Sequence, residues 1–335
     1  MSFSIKNNYS LLHHNTFGMN VQARHFVEYD SVDSLREFLA AHRNERLLHI
    51  GAGSNLLFTN NFDGYILHSN IKFCEKIAEN DDHVLMRVAS GVVWDDFCTS
   101  MCAANLGGTE NLSYIPGEVG ASAVQNIGAY GAEVADIIYQ VETTEIATGE
   151  SRVFQNSECE YGYRQSIFKD ELWGKYIVTA VVFRLAKKPT LRLDYGNLRS
   201  HLQHIAQPTI SDVRQAVIDI RKQKLPEPSE LGSAGSFFKN PVVTEAKANA
   251  LLAENPAMPH YSAAAGVKIP AAWLIEQCGW KGRTLGGAAV YEKQPLVLVN
   301  KNHATPADIQ QLAQQIVDSI QEKFGITIEP EVNYI

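Results

Sequence analysis

A glycine-rich but apolar stretch, residues 115–131, constrains the fold more than any other part of this chain. It contains four glycines, one proline and an adjacent Gln-Asn pair, and it is too apolar for an exposed loop. Glycine lets a backbone bend sharply and lets a ligand approach its amide groups closely. Small residues alternate here with Val119, Val124 and Ile127, which predicts a folded ribbon packed against a flat ligand. We interpret that ligand as a flavin with its diphosphate; the alternative is a tight turn packed into the core.

Composition limits the class of protein. A length of 335 residues predicts two or three domains, and 45% hydrophobic with 20% charged residues is typical of a globular protein with a good core. The net charge of −8 offers no general attraction for nucleic acid or an anionic membrane. No apolar run reaches the length of a membrane span, and residues 1–20 lack the apolar segment of a signal peptide. The predicted location is the cytoplasm.

The five cysteines are scattered, which argues against a disulfide framework and against a metal site. No cysteine pair is matched by a second Cys or His pair at zinc-binding spacing, so no metal is predicted. Cys98 and Cys102 are four residues apart on a predicted helix, and we interpret them as buried thiols. All five are expected to be reduced, as in the cytosol.

Periodicity predicts helices and strands in an irregular order. Helices are predicted over 34–41 (capped by Asp33 or Ser34), 93–101, a segment capped by Ser211 or Asp212, 271–278 and 306–324. Strands are predicted over 47–50, 84–89, 137–145, 151–154, 176–185, 296–299 and 326–332. Leu225-Pro226 marks the clearest domain boundary, because proline cannot continue a helix. The order is not a strict βαβα alternation, so it predicts an α+β fold rather than a doubly wound sheet.

A second glycine-containing turn, Gly51-Ala52-Gly53-Ser54-Asn55, follows the strand predicted at 47–50. A strand that leads into a Gly-x-Gly turn can offer consecutive amide N–H groups to a phosphate. The turn lacks the third glycine and the following helix of the dinucleotide-binding fingerprint, so no Rossmann domain is predicted.

Six separated motifs together resemble the family of UDP-N-acetylenolpyruvoylglucosamine reductases. In chain order they are Asn-Thr-Phe-Gly at 15–18, the turn at 51–55, the end of the ribbon at 125–131, Tyr-Gly-Tyr-Arg at 161–164, Gly-Ser-Phe-Phe-Lys-Asn-Pro at 235–241 and Glu-Pro-Glu-Val at 329–332. The resemblance covers nearly the whole chain. The Asp-Tyr-Gly-Asn turn at 194–197 resembles the longer form of the family, which carries a tyrosine-bearing loop over the substrate.

The resemblance implies an α+β fold in which an FAD-binding module of the vanillyl-alcohol-oxidase type precedes a C-terminal α/β substrate-binding domain. The implied boundaries are 1–70 and 71–225 for two FAD-binding subdomains, 226–325 for the substrate domain, and 326–335 for a strand that returns a glutamate to the active site. NADPH is implied to reduce the FAD and leave. The enolpyruvyl sugar nucleotide then takes its place in the same cleft and is reduced to UDP-N-acetylmuramate for peptidoglycan synthesis. A monomer is expected.

Three catalytic residues are implied by the same resemblance. Arg164 would bind the substrate carboxylate and stabilise the charge that develops when hydride from flavin N5 reaches the vinyl carbon. Ser236 would protonate the α-carbon, with Lys239 or water assisting because a hydroxyl is a weak acid. Glu331 would donate a hydrogen bond to the enolate if a dry site keeps it protonated, and would oppose the charge if ionised.

The resemblance also implies binding residues. Those for FAD are Gly51, Ala52, Gly53, Ser54, Asn55, Ile115, Pro116, Gly117, Gly120, Ala121, Ser122, Asn126, Ile127 and Gly128. Those for the substrate are Tyr130, Tyr195, Lys224, Asn240, Tyr261, Lys281 and Gln294, with Lys268 as a weaker candidate. The chain departs from the family at Asn333, where an arginine is common.

Two other interpretations stay open on the residues alone. One is a related FAD-dependent oxidoreductase acting on an alcohol or a sugar lactone, which often carries a covalent flavin on His or Cys. No histidine lies in the ribbon or in the 51–55 turn, which disfavours it. The other is a sugar-nucleotide-binding protein without enzymatic activity, which would need no flavin.

Overall fold

The structure, a computed structural model, describes residues 3–263 and 265–335. The helices of these residues are α1 Val32–Ala41, α2 Trp94–Ala103, α3 Val119–Gln125, α4 Leu198–Leu202, α5 Ile210–Lys224, α6 Glu245–Glu254, α7 Ala271–Gln277 and α8 Pro306–Phe324. The strands are β1 Phe3–Ser10, β2 Gln22–Tyr29, β3 Leu47–Ile50, β4 Leu56–Leu57, β5 Phe62–Ser69, β6 Cys74–Glu79, β7 His83–Ala89, β8 Gly128–Ala129, β9 Ala132–Glu133, β10 Ile138–Glu145, β11 Ser151–Gln155, β12 Tyr176–Ala186, β13 Gly232–Ser236, β14 Val242–Val243, β15 Tyr261–Ala263, β16 Gly266–Lys268, β17 Thr284–Leu285, β18 Ala288–Val290, β19 Val297–Asn300 and β20 Asn333–Tyr334.

The first of two compact units contains the described residues up to Tyr9, with Gln22–Ala52 and Phe62–Arg221. One of its sheets has the strand order β1-β2-β5-β3, and the other has the order β11-β10-β12-β7-β6. In the former, β2 and β3 both pair with β5 in parallel, whereas the latter is antiparallel. This mixture confirms the predicted α+β class.

The core of the first unit forms around β12, the most buried strand of the antiparallel sheet. Phe183 on this strand packs against Trp94 and Phe97 of α2, with ring centroids 5.8 and 4.9 Å away. The Trp94 indole N–H donates to the Leu112 carbonyl at 2.8 Å, which satisfies its only polar group. The aromatic face predicted on this helix is therefore core, and it supports the segment that leads to residue 115.

The second unit contains Ser10–Val21, Gly53–Asn61 and Lys222–Ile335. Its sheets have the orders β13-β19-β18-β17, β14-β16-β15 and β20-β4. Helix α8 buries Ile309, Leu312, Ile316 and Ile320 on one face, as the predicted period requires. Thr305 caps its first turn and Gly325 ends it with a left-handed φ of 60°.

Two helices begin earlier than the sequence predicted. The cap of α1 is Ser31, whose hydroxyl accepts the Ser34 amide at 3.2 Å, rather than Asp33 or Ser34. Before α5 the Thr209 hydroxyl accepts the Asp212 amide at 3.3 Å, so Ser211 and Asp212 lie inside the helix. Each region offers several polar residues, and the one whose hydroxyl meets the amide three residues later becomes the cap.

Two other predictions are wrong in detail. The folded ribbon predicted at 115–131 contains a short helix, α3, which the sequence analysis did not predict. The strand predicted at 326–332 does not form; pairing there is limited to a bridge between Pro330 and Phe238, and β20 follows it. Proline has no amide hydrogen to donate to a ladder, which interrupts the pairing. Helix α5 does end at Lys224, before Leu225-Pro226, while the four-part domain division stays a prediction.

Among the described residues, no helix combines the length and the apolar composition that crossing a lipid bilayer requires. The same residues contain no group of three or more His, Cys, Asp or Glu side chains arranged to hold a metal ion. Cys98, Cys102 and Cys159 are buried thiols. Burial raises the pKa of Cys102 to about 11, so this thiol stays protonated and serves as an apolar core group.

Half-buried His49 on β3 makes stability sensitive to acid. Its Nε2 lies 2.8 Å from the Tyr29 hydroxyl, and burial, with a smaller effect of nearby His68, lowers the pKa of His49 to about 3. Below about pH 6.5 this histidine is protonated in the unfolded chain but stays neutral in the folded chain. The free energy of unfolding therefore falls as the pH falls from about 6.5 towards 3. We expect this histidine alone to cost about 2 kcal/mol between pH 6.5 and pH 5.

Urea unfolding from pH 7 to pH 5 measures this effect. His49→Gln should lose less stability than the wild type over that interval. Tyr29→Phe is the control, because it removes the hydroxyl but keeps the imidazole; it should lower stability at every pH and leave the pH slope unchanged. Equal slopes in the wild type and His49→Gln would contradict the expectation.

Candidate active site

The turn at Gly53–Asn55 in the second unit has the geometry of an anion-binding loop. Gly53 has a φ of +66°, and a Cβ on it would lie 2.1 Å from the His14 carbonyl oxygen, so no other residue fits. The Gly53 carbonyl accepts the Thr16 amide at 3.2 Å and the Asn55 carbonyl accepts the Asn333 amide at 3.1 Å. Within the described chain the amides of Gly53 and Asn55 donate to no group. A turn that is anchored through its carbonyls and presents its amides fits a phosphate.

Asn15 holds together the loop of residues 11–19, which packs against this turn. Its side-chain amide donates to the carbonyls of Leu11 and Met19, at 2.7 and 3.1 Å, and its oxygen accepts the Met19 amide at 2.8 Å. This closed loop carries His14 and Thr16, which define the space around Gly53. The Asn-Thr-Phe-Gly motif therefore has a structural role, which the sequence reasoning did not assign.

Ser236 and Glu331 lie on neighbouring segments of the second unit. Ser236 ends β13 opposite Val297, after a register shift that spans Gly235. The next residue, Phe237, donates its amide to Leu296 at 2.7 Å and accepts the Glu331 amide at 2.7 Å. Such an irregularity re-aims the side chain that follows it. The fold thus brings together two of the three predicted catalytic residues through backbone pairing.

The C-terminal segment also joins the anion-binding turn. The Asn55 side-chain amide donates to the Glu331 carbonyl at 3.2 Å. Asn333, where the family commonly has an arginine, donates its side-chain amide to the Asn55 carbonyl at 3.4 Å. Asn333 therefore contributes a hydrogen bond to the turn rather than a positive charge.

In the first unit, close packing explains the glycines beside α3. A Cβ on Gly120 would lie 2.7 Å from the Ser90 Cβ, and its amide donates to the Ser90 carbonyl at 2.9 Å. A Cβ on Gly51 would lie 3.1 Å from Glu118 Oε2. The Ser122 hydroxyl donates to the Val119 carbonyl at 2.7 Å. The amide of Gly120 and the hydroxyl of Ser122, both predicted to lie in the cofactor site, are thus used by the fold.

Asn126 ends α3 in a left-handed conformation, with φ at 47°. Its amide nitrogen donates to Glu133 Oε2 and to the Gly162 carbonyl, each at 2.8 Å, and its oxygen accepts the Ala135 amide at 3.1 Å. Both amide hydrogens and the oxygen are therefore used within the unit. Asn126 joins the end of the glycine-rich stretch to the segment that carries Arg164.

Arg164 of the first unit has its guanidinium held against Gly128. Its φ of 56° lies in the left-handed region, and its Nη2 donates to the Gly128 carbonyl at 2.7 Å. A Cβ on Gly128 would lie 2.8 Å from Nη1 of the same guanidinium, so glycine makes room for it. An arginine guanidinium can bind a carboxylate bidentately.

Tyr130 and Tyr195 form an aromatic pair, with ring centroids 6.5 Å apart and planes at 87°. Tyr195 is 57% exposed, as a residue that recognises a ligand can be. Buried Asn111 joins the loop of Tyr130 to the segment just before Tyr195. Its side-chain amide donates to the carbonyls of Tyr130 and Arg192, each at 2.9 Å. Sequence reasoning missed Asn111, because an asparagine near a loop gives no signal of burial.

Arg221 is a second residue that sequence reasoning missed. Its Nε donates to the Tyr114 carbonyl at 2.9 Å, just before the glycine-rich stretch. Burial lowers the pKa of the Arg221 guanidinium, and the nearby charge of Arg164 acts in the same direction. The Tyr114 amide in turn donates to Asp95 at 2.5 Å, and Asp95 pairs with Arg214 through two bonds of 2.7 and 2.9 Å. In the sequence, the one hint of such a role is the position of Arg221 on α5, just before the boundary at Leu225-Pro226.

The predicted substrate residues of the second unit differ in their present partners. Asn240 accepts the Ala271 amide at 2.9 Å and so caps α7 with its oxygen. Lys281 pairs with Glu276 at 2.7 Å on the surface. Gln294 accepts the Leu296 amide at 3.5 Å. Tyr261 is 56% exposed and lies opposite Lys268 on neighbouring strands, while Lys224 is exposed at the end of α5.

The predicted residues are thus divided between the units. The first holds Arg164, Tyr130, Tyr195, Gly51, Ala52 and residues 115–128, and the second holds Gly53–Asn55, Ser236, Glu331, Lys224, Asn240, Tyr261, Lys281 and Gln294.

Comparison with known proteins identifies two segments. A family model described as an FAD binding domain matches residues 23–155, and one described as the C-terminal domain of UDP-N-acetylenolpyruvoylglucosamine reductase matches 227–335. Proteins named UDP-N-acetylenolpyruvoylglucosamine reductase are 52% identical in Bacteroides fragilis, over 98% of this chain and 99% of theirs, and 46% identical in Porphyromonas gingivalis, over 99% of both. The crystal structure of this reductase from Thermus caldophilus aligns with a TM-score of 0.69 at 22% identity, over 99% of this chain and 98% of its own, which shows a shared fold.

Proposed function

This chain belongs to the UDP-N-acetylenolpyruvoylglucosamine reductase family, and we propose that a single cleft serves both halves of its reaction. The protein is an FAD-dependent oxidoreductase that uses NADPH to reduce UDP-N-acetylglucosamine enolpyruvate to UDP-N-acetylmuramate for peptidoglycan synthesis. When bound, FAD carries the hydride from NADPH to the sugar nucleotide. In our proposal NADPH and the sugar nucleotide occupy the cleft in turn, in a monomer in the cytoplasm.

One observation carries this proposal: the Glu331 segment is hydrogen-bonded both to Asn55 of the anion-binding turn and to Phe237, next to Ser236. A turn suited to the FAD diphosphate is thereby continuous with two groups suited to chemistry on a substrate. The amides of Gly53 and Asn55 would hold the diphosphate, because amide N–H groups stabilise phosphate charge without a metal. Residues 115–128 would contact the rest of the cofactor.

Arg164 would bind the carboxylate of the enolpyruvyl group. Its guanidinium is always charged and is already oriented by the Gly128 carbonyl. Reduction of the C=C bond pushes negative charge into that carboxylate, and a donor that is fixed beforehand stabilises the charge without reorganising.

Ser236 would deliver the proton that completes reduction at the α-carbon. A hydroxyl gives up a proton only when a neighbour stabilises the oxygen left behind or replaces the proton. Lys239, three residues away and paired through its amide with Glu329 at 2.9 Å, is the proposed neighbour. Glu331 would donate a hydrogen bond to the developing enolate oxygen, which requires the neutral acid.

The uridine diphosphate part would be held by residues from several loops. Proposed contacts are Tyr130, Tyr195, Lys224, Asn240, Tyr261, Lys281 and Gln294. Asn240 would use its amide hydrogens, since its oxygen caps α7. Lys281 would exchange Glu276 for a phosphate, a small cost because an exposed ion pair contributes only about 0–1 kcal/mol.

Steady-state kinetics test the shared cleft. If NADPH and the sugar nucleotide alternate in one cleft, double-reciprocal plots for the two substrates should be parallel. Excess sugar nucleotide should raise the apparent KM for NADPH without lowering the limiting rate. Intersecting lines would mean that both substrates bind together and would contradict the shared cleft.

An anaerobic control separates this reaction from that of other flavin enzymes. NADPH should bleach the flavin absorbance of the purified protein, and only the enolpyruvyl sugar nucleotide should restore it. Recovery with an unrelated alcohol-derived or lactone-derived acceptor would favour the alternative oxidoreductase.

A further inference from the structure

The carboxylate of Glu118, just before α3, is buried and only half used. Glu118 is 7% exposed, and its Oε1 lies 2.9 Å from His68 Nε2. Its Oε2 accepts no hydrogen bond within the described residues; it lies 3.1 Å from the point where a Cβ on Gly51 would be. An oxygen of a largely buried carboxylate that receives no hydrogen bond from the chain is available to a donor from outside it.

A series of ionisable side chains leads to this carboxylate. Lys6 pairs with Glu28 at 2.6 Å, and Glu28 Oε1 lies 3.9 Å from His68 Nδ1. The other nitrogen of His68 contacts Glu118, so the imidazole lies between two carboxylates. His68 belongs to β5 in the parallel sheet, a rigid element, so the position of Glu118 is set by the fold.

The place and the charge of Glu118 limit what it can bind. It lies beside Gly51, which opens the 51–55 turn, and beside α3 of the glycine-rich stretch. A phosphate would be repelled by a carboxylate at this point. The groups of FAD that are adjacent to its phosphates and can donate a hydrogen bond are the hydroxyls of the ribityl chain and of the ribose.

We propose that Glu118, positioned by His68, binds FAD by accepting a hydrogen bond from one of these sugar hydroxyls. In this proposal the Glu118 carboxylate takes a neutral hydrogen-bond donor of the cofactor rather than a phosphate. This inference rests on FAD being the cofactor and is independent of whether the two substrates share a cleft.

Binding of FAD to the apoprotein, followed by quenching of flavin fluorescence, tests the proposal without reference to activity. A hydrogen bond to a charged group contributes about 1.5–3 kcal/mol, so Glu118→Ala should weaken FAD binding about 10- to 100-fold. His68→Asn should weaken it less, because the carboxylate remains but loses its orientation. Glu110→Gln is the matched control: Glu110 is also buried, at 4% exposure, but it accepts the Gly108 amide at 2.6 Å, and the variant should bind FAD normally.

FAD analogues that lack single ribityl or ribose hydroxyls distinguish a direct contact from a loss of structure. One deoxy analogue should bind the wild type about 10- to 100-fold more weakly than FAD, and Glu118→Ala should bind that analogue and FAD equally. The position of the missing hydroxyl identifies the sugar. Three results would overturn the proposal. FAD affinity could be unchanged in Glu118→Ala, or Glu110→Gln could lose as much FAD affinity as Glu118→Ala. Alternatively, each missing hydroxyl could weaken binding to Glu118→Ala as much as it weakens binding to the wild type. Failure of wild-type apoprotein to bind FAD would instead refute the cofactor.

Discussion

Ser236→Ala is expected to slow reduction of the sugar nucleotide about a thousand-fold, because a positioned proton donor contributes about 10²–10⁴ to the rate. The hydroxyl is the only group that the substitution removes, and the strand that holds it is unchanged. Ser236 is half-buried at the end of β13 and pairs with Val297 through its backbone, which alanine preserves. We therefore expect normal folding and normal FAD content.

The two half-reactions separate this effect from a general loss of function. In stopped flow, NADPH should bleach the bound flavin of Ser236→Ala at the wild-type rate, since protonation of the substrate has no part in that step. Reoxidation by the sugar nucleotide should be slow. Ser233→Ala is the matched control: Ser233 is buried on the same strand, opposite Val299, and both of its half-reactions should be close to wild type.

Equal slowing of both half-reactions in Ser236→Ala would show that the residue supports the site rather than donating the proton. A reoxidation rate within a few fold of the wild type would remove Ser236 from the mechanism and leave Lys239 or water as the donor.

Gly53→Ala is expected to have the largest effect on the folded protein. The alanine Cβ would lie 2.1 Å from the His14 carbonyl oxygen, in a backbone conformation with φ at +66°. His14 belongs to the closed loop held by Asn15, so the carbonyl cannot move without breaking that loop. We expect a loss of about 3 kcal/mol or more in the free energy of unfolding, from overpacking together with the left-handed φ, and loss of FAD binding.

Gly279→Ala provides the control for backbone conformation. Gly279 has a φ of +73°, yet a Cβ on it would meet no atom within 4 Å. This variant should lose only about 1–2 kcal/mol, the cost of a left-handed alanine. Urea unfolding of both variants as apoproteins, with FAD titration of each, measures the difference. Similar stability losses in the two variants would mean that the His14 contact relaxes at little cost.

The class of fold, the family and the cofactor were all readable from the sequence. Hydrophobic periodicity depends only on neighbouring residues, which is why α8 and its cap at Thr305 were predicted to the residue. The six motifs identified the reductase family, and relatives of that name that are 52% and 46% identical over nearly the whole chain confirm it. Errors arose where several local choices were equivalent, as with Ser31 rather than Asp33 as the cap of α1.

Contacts between segments that are distant in the chain could not be predicted from the sequence. Nothing near Asn111 in the sequence indicates that it joins the loops of Tyr130 and Arg192, and nothing near Glu118 indicates that His68, fifty residues away, orients its carboxylate. Asn126 was predicted to contact the cofactor, yet its amide is used by Glu133, Gly162 and Ala135.

Residue type and local spacing are enough to tell which chemical groups this protein possesses and where its backbone needs glycine. Folding sets which of those groups are hydrogen-bonded within the protein and which still have a donor or acceptor to offer. Burial and hydrogen bonding are properties of residues brought together from far along the chain. The half-used carboxylate of Glu118 and the open amides of Gly53 and Asn55 exist only once the chain has folded.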